Sequence, residues 1–140
     1  MKIVLDRVNN DYLFEGKGKT GVPIPIDNTS ADGAAGASPM ELLLMGVGGC
    51  SAIDVIAILK KQKQEITGYH MEVEGFRKEV RQAKPFDSIL VRIFLEGTID
   101  PIKAKRAAAL SFDKYCSVSI TLEGCVGVSH EILINGESIG

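Results

Sequence analysis

One stretch, Ser38 to Glu65, constrains this chain more than any other: SPMELLLMGVGGCSAIDVIAILKKQKQE. It opens with Ser38, Pro39 and Glu41. These are a Ser N-cap, a proline at the first helical position and a glutamate three residues past the cap, the signature of a capping box. It closes in Lys60, Lys61 and Lys63, cations that complement a helix C-terminus. Between these ends only Ser51 and Asp54 interrupt an apolar run from Leu42 to Leu59. A helix that is apolar on every side must be covered on every side.

A bilayer is one possible cover, since about 18 residues is the lower limit for a span. Asp54 inside the run and three helix-weakening glycines, Gly46, Gly48 and Gly49, argue against it. The segment reads instead as a core helix, its glycines clearing space where another backbone approaches. At 140 residues the chain is expected to be one domain. Its parts are N-terminal strands over 1–27, the central helix over 38–65, and strands with a second helix over 66–140. One small domain has too little material to shield such a helix, so a second copy is expected to complete the cover, giving a homodimer.

A net charge of −2 gives nothing to attract nucleic acid or an anionic membrane. No apolar segment follows a basic start, and the three cysteines form no CxxC pair, so a reducing cytoplasm is expected.

Strands are expected at 2–8, 11–15 and 22–26, the last broken by Pro23 and Pro25. A loop of small and polar residues covers 28–37. After the helix, Tyr69, Met71 and Val73 alternate with His70, Glu72 and Glu74. In the next strand Ile89, Val91, Ile93 and Leu95 share one face. Asp100-Pro101 starts a second helix running to about Lys114. Ser117 is the expected cap of a short helix that Gly124 stops, and 126–134 is the last strand. The order β-β-β-α-β-β-α-β, with strands grouped as hairpins, points to an α+β fold with antiparallel sheets.

The three cysteines differ in setting. Cys50 lies beside Gly48-Gly49 on the central helix, Cys116 follows the second helix, and Cys125 follows Gly124. Unpaired cysteine commonly packs as a small apolar residue. Cys50 and Cys116 each sit beside a break in regularity where a side chain can reach a cleft. Asp54 is one turn beyond Cys50 on the same face. As a buried carboxylate it needs a nearby cation or donor, and Arg7, Lys17, Lys19, Arg77, Arg81 and Arg92 are the available cations. His70 and His130 both fall in strands, no paired ligand spacing appears, and no metal site or cofactor is expected. There is no G-x-S-x-G elbow, and the GVGG glycines lie inside a helix without the lysine of a phosphate loop.

Two motifs, SPMELLLMGVGGC running into SAIDVIAILKK, and SFDKYCSVS further on, resemble the OsmC/Ohr family of osmotically inducible and organic hydroperoxide resistance proteins. The resemblance spans residues 38–134. It implies an intertwined α+β dimer with sheets wrapped around two central helices and active sites at the dimer interface. It places the family's cysteine pair on Cys50 and Cys116. It further implies a thiol-dependent peroxidase acting on small hydrophobic hydroperoxides in oxidative-stress defence, re-reduced by a lipoyl- or thioredoxin-type dithiol. The sequence departs from the peroxidase members in three places. Met40 stands where they carry an acidic residue, with Glu41 one position on and about 100° round the helix. Arg7 is the only arginine of the N-terminal strands to match theirs. Ser117 follows Cys116 where a proline is usual. Asp54, Glu41 and Arg7 are therefore the expected supporting residues. The alternative is a non-enzymatic small-molecule-binding or structural stress protein with the same fold.

Overall fold

The structure, a computed structural model, describes residues 1–140. The chain divides into two units, Met1–Leu43 and Leu44–Gly140. In the first, β1 (Val4–Arg7), β2 (Phe14–Lys17) and β3 (Ile24–Ile26) form an antiparallel three-stranded sheet in the order β1-β2-β3. All three strands are shorter than the sequence expectation. The turn before β2 is set by Asn9, whose Oδ1 accepts hydrogen bonds from the N–H groups of Asp11 and Leu13, the usual use of asparagine in a turn.

Helix α1 (Pro39–Lys61) begins in the first unit and continues into the second. Its start is the expected capping box. Ser38 Oγ accepts from Glu41 N at 3.1 Å, and Glu41 Oε1 accepts from Ser38 N at 2.9 Å. These bonds hold the Glu41 carboxyl below its ordinary pKa, the Ser38 N–H contributing most. The helix ends at Lys61, earlier than the expected Glu65. Lys63 adopts a left-handed conformation (φ 57°), its N–H bonds to Lys60 O, and Gln64 N–H bonds to Leu59 O. That pair of bonds is a Schellman stop, formed here without the glycine that would have marked it in the sequence.

In the second unit, β4 (Glu65–Arg77) and β5 (Phe86–Thr98) form a long antiparallel hairpin. The chain then passes through α2 (Pro101–Leu110), a π-helical turn (Ser111–Tyr115) and α3 (Ser117–Leu122) into β6 (Gly127–Ile134) and a short β7 (Glu137–Ser138). The sheet order is β4-β5-β6-β7, and β5 pairs with β6 in parallel. The expected antiparallel pairing holds for every other pair of strands, and β5 and β6 run parallel because a crossover through helices carries the chain back to its starting end, which a tight turn cannot do. Asp100 caps α2 as expected, its Oδ1 accepting from Ile102 N at 2.8 Å.

The core of this unit is the face of β5 that the alternation picks out: Ile89, Val91, Ile93 and Leu95 are each at most 2% exposed. Ile132 and Ile134 of β6, and Ala104, Ala107 and Ala108 of α2, are buried with them. From α1 only one stripe is buried: Val47, Gly48, Ser51, Val55 and Leu59. Gly48 is needed there. A Cβ on it would lie 2.9 Å from Val73 Cγ2 and 3.1 Å from Met71 Sδ, so the helix is fitted against β4 side chains rather than against a second backbone. The rest of the helix is only partly covered or exposed. Met45 is 56% and Ile53 71% exposed, and Gly49 has nothing within 4 Å of where its Cβ would be. The sequence calls for cover all round, and one copy supplies it on one side.

Candidate functional site

The exposed and buried stripes of α1 meet at Cys50 and Asp54, both half-buried. Opposite them the polypeptide makes an irregular passage. The N–H of Ser111 bonds to Ala107 O and Ala108 O as α2 ends. The next turn widens, and Cys116 N–H reaches back to Ser111 O at 2.7 Å. Cys116 then leaves helical geometry (φ −74°, ψ 101°) and caps α3, its Sγ accepting from Ser119 N at 3.4 Å. The expected cap was Ser117. The thiol takes that role one residue earlier, and Ser117 becomes the first helical residue.

This passage brings Cys116, wholly buried, to α1. The Sγ atoms of Cys50 and Cys116 and a carboxylate oxygen of Asp54 all lie within 4.8 Å of one another. Both cysteines are unpaired thiols. Asp54 finds its partner in a residue the sequence reading missed: Ser111, fully buried, donates its hydroxyl to Asp54 Oδ2 at 2.9 Å. The expected partner, a cation or a donor, is therefore a neutral donor, and none of the six candidate cations forms an ion pair with Asp54. Several of those cations are engaged elsewhere. Arg92 pairs with Glu74 and Glu131 on the sheet, Arg77 Nε donates to Lys84 O, and Arg7 Nε donates to Asp11 O within the N-terminal unit. The only hint of Ser111 in the sequence is its place at the head of SFDKYCS, and a lone serine there is indistinguishable from any helix-end serine.

The electrostatics of the site oppose an easy thiolate. Burial pushes the Cys50 thiol up, the Val118 backbone N–H pulls it partway back, and the neighbouring Cys116 and Asp54 push it further up. No cation appears among these influences. Of the other candidates, Glu41 is occupied by its cap, and both Glu41 and Arg7 belong to the Met1–Leu43 unit. Cys125 is exposed beyond the left-handed Gly124 and stands apart from the cluster. The two histidines stack instead: His130 on Phe112 at 4.8 Å and 10°, and His70 tilted against Phe94 at 5.4 Å.

What such a cluster can do is bounded by sulfur chemistry. Two thiols this close form a disulfide after a modest approach, since the S–S bond is about 2.05 Å. A half-buried thiol beside a buried one also gives one sulfur that meets solutes and one that waits.

Comparison with known proteins agrees with this architecture. The family model described as OsmC-like protein matches residues 31–131, which include both cysteine motifs. Protein YhfA of Escherichia coli K12 is 37% identical over 118 residues, covering 84% of this chain and 86% of its own. A hypothetical protein from Aquifex aeolicus VF5 superposes with a TM-score of 0.80 at 29% identity, covering 96% of each chain. The organic hydroperoxide resistance protein OhrB of Bacillus subtilis shares the fold more distantly, with a TM-score of 0.64 at 21% identity over 94% of this chain and 96% of its own. The two cysteine motifs, the mixed α+β fold and these matches together make this chain a member of the OsmC-like protein family.

Proposed function

We propose that this protein is a thiol-dependent peroxidase that reduces organic hydroperoxides through Cys50 and Cys116. The observation that carries the reading is the approach of the two sulfurs to within 4.8 Å, beside a carboxylate held by Ser111. Cys50 as thiolate attacks the O–O bond of the hydroperoxide. It becomes a sulfenic acid, and the alkoxide leaves with a proton as the alcohol. Cys116 then condenses with the sulfenic acid, forming the disulfide and releasing water. A dithiol of lipoyl or thioredoxin type restores both thiols by exchange and is itself oxidised. The apolar residues around Cys50 favour a hydrophobic peroxide over a small hydrated one.

Proteins of this family typically act as dimers, and the uncovered apolar side of α1 supports the same assembly here. A partner would cover Met45, Gly49 and Ile53. Only 28% of the most apolar 18-residue stretch of the helix is buried within one chain. That helix is long and apolar enough to cross a bilayer. Membership of a family of soluble proteins favours the dimer as its cover, and the cytoplasm as the compartment that keeps the thiols reduced.

The test is direct. Reduced protein given one equivalent of cumene hydroperoxide should lose two hydrogens by intact mass, with Cys50 linked to Cys116. A mass unchanged after treatment, with all thiols still titratable, would sink the reading. One observation favours the second reading, binding without turnover: the Cys50 thiol is pushed up rather than down. In that case a ligand would copurify with the protein and no peroxide would be consumed.

A further inference from the structure

The reduced site is short of positive charge. Two thiols and a carboxylate converge within 4.8 Å, and none of the ion pairs of this chain involves Asp54. Fully deprotonated, the three groups would carry three negative charges at a partly buried position, an arrangement that repels itself unless something compensates it. Its ligand atoms are two soft sulfurs and one hard oxygen, the donor set that suits Zn2+ and its tetrahedral substitutes.

We propose that Cys50, Cys116 and Asp54 form a three-ligand site for Zn2+, so that the reduced protein can hold a thiophilic divalent ion where the disulfide would otherwise form. Metal–sulfur bonds of about 2.3 Å and a metal–oxygen bond of about 2.0–2.2 Å put tetrahedral ligand atoms some 3.5 Å apart. The present cluster, with its ligand atoms within 4.8 Å of one another, reaches that spacing by contracting by at most about 1.3 Å. Asp54 and Cys50 share one face of a single rigid helix, at i and i+4. Cys116 comes from the irregular passage between α2 and α3, where one side chain can move without disturbing a ladder.

The outer contacts are those a thiolate–carboxylate site needs. Ser111 Oγ ties down Asp54 Oδ2, the Ser119 N–H faces Cys116 Sγ, and the Val118 N–H favours a negative Cys50 sulfur. Three protein ligands leave one tetrahedral position for water or a small anion, on the half-buried Cys50 side. Binding releases the two thiol protons and leaves the complex with one net negative charge. This site requires no peroxide chemistry. An ion bound there would make both sulfurs unavailable to peroxide until it is removed.

Co2+ is the probe. Added to the reduced, full-length protein without oxygen, it should give a saturable near-ultraviolet thiolate band at one ion per chain, with an intensity expected for two thiolates. Asp54→Asn should weaken binding at least tenfold, and Ser111→Ala roughly tenfold. Cys116 is buried, so Cys116→Ser could lose the fold. The wild-type protein therefore carries a second readout. Excess Zn2+ should slow alkylation of Cys50 and Cys116 while leaving exposed Cys125 untouched, and a chelator should reverse it. A band of one-thiolate intensity, protection confined to Cys125, or unaltered affinity in Asp54→Asn would each overturn the site. None of these readouts involves turnover, so a protein that binds the ion yet ignores hydroperoxide sinks only the peroxidase reading.

Discussion

Cys50 and Cys116 face each other, but they are held in opposite ways. Cys50 projects from the middle of a long regular helix and is half open. Cys116 sits at a break between a π-helical turn and a short helix and is wholly buried. The first is rigid in backbone and accessible in side chain; the second is inaccessible, on a backbone with a register to spare. That difference assigns roles in the proposed chemistry. A peroxide must reach the attacking sulfur, and the second sulfur must be able to swing toward it. The π-turn supplies the slack, as such insertions often do at functional sites.

The largest effect should come from separating the two roles. Cys50→Ser should abolish dithiol-dependent turnover. Cys116→Ser should still consume one equivalent of peroxide and stop at a sulfenic acid that dimedone traps. If the two variants, both shown to be folded by circular dichroism, behave alike, the division of labour between the sulfurs is wrong.

The next effect is kinetic. In the folded, reduced protein, alkylation of Cys116 should lag that of Cys50 by on the order of a hundredfold, because it waits on local opening worth a few kcal/mol. The lag should vanish in denaturant. The Cys50 rate should keep climbing with pH into the alkaline range, since burial, Cys116 and Asp54 hold that thiol above its usual value. A plateau at neutral pH would mean that a cation reaches the sulfur.

A smaller change tests what fixes the Cys50 side. Gly48→Ala crowds Val73 and Met71. Overpacking of this kind costs about 1–3 kcal/mol, partly offset by roughly 1 kcal/mol of helix propensity. Chemical denaturation should show a net loss of about 1 kcal/mol. A gain in stability would show that the two β4 side chains give way freely.

The smallest effect lies on the Cys116 side, where Phe112 of the π-turn stacks on His130. Burial lowers the His130 pKa, and Asp113 partly opposes this. The folded state therefore binds its proton less readily than the unfolded chain. Stability is full above the ordinary histidine value and declines as pH falls below about 6.5 toward the lowered one. A His130→Phe variant should flatten that part of the melting-temperature profile by a degree or two, an order-of-magnitude figure for a fraction of a kcal/mol. An unaltered profile would place the acid sensitivity elsewhere.

Much of the fold was legible residue by residue. The Ser38–Glu41 cap, the Asp100-Pro101 start and the buried face of β5 follow from local hydrogen bonding and period-two patterning, and each is found where expected. The readings that shifted depended on backbone geometry with no residue signature. Lys63 stops α1 in a conformation usually given to glycine, Cys116 displaces Ser117 as a cap, and a helical crossover makes β5 and β6 parallel.

The sequence by itself determined that a long apolar helix carrying Cys50 and Asp54 must exist, and that one chain of this size would leave part of it bare. Both are properties of local pattern and of surface against volume. Only the tertiary structure decided what stands opposite: that Cys116 comes within 4.8 Å, and that of a cation or a donor it is a donor, Ser111, that meets the carboxylate. Those contacts join residues far apart in the chain, and their geometry is set by where an entire sheet and a crossover place an irregular turn.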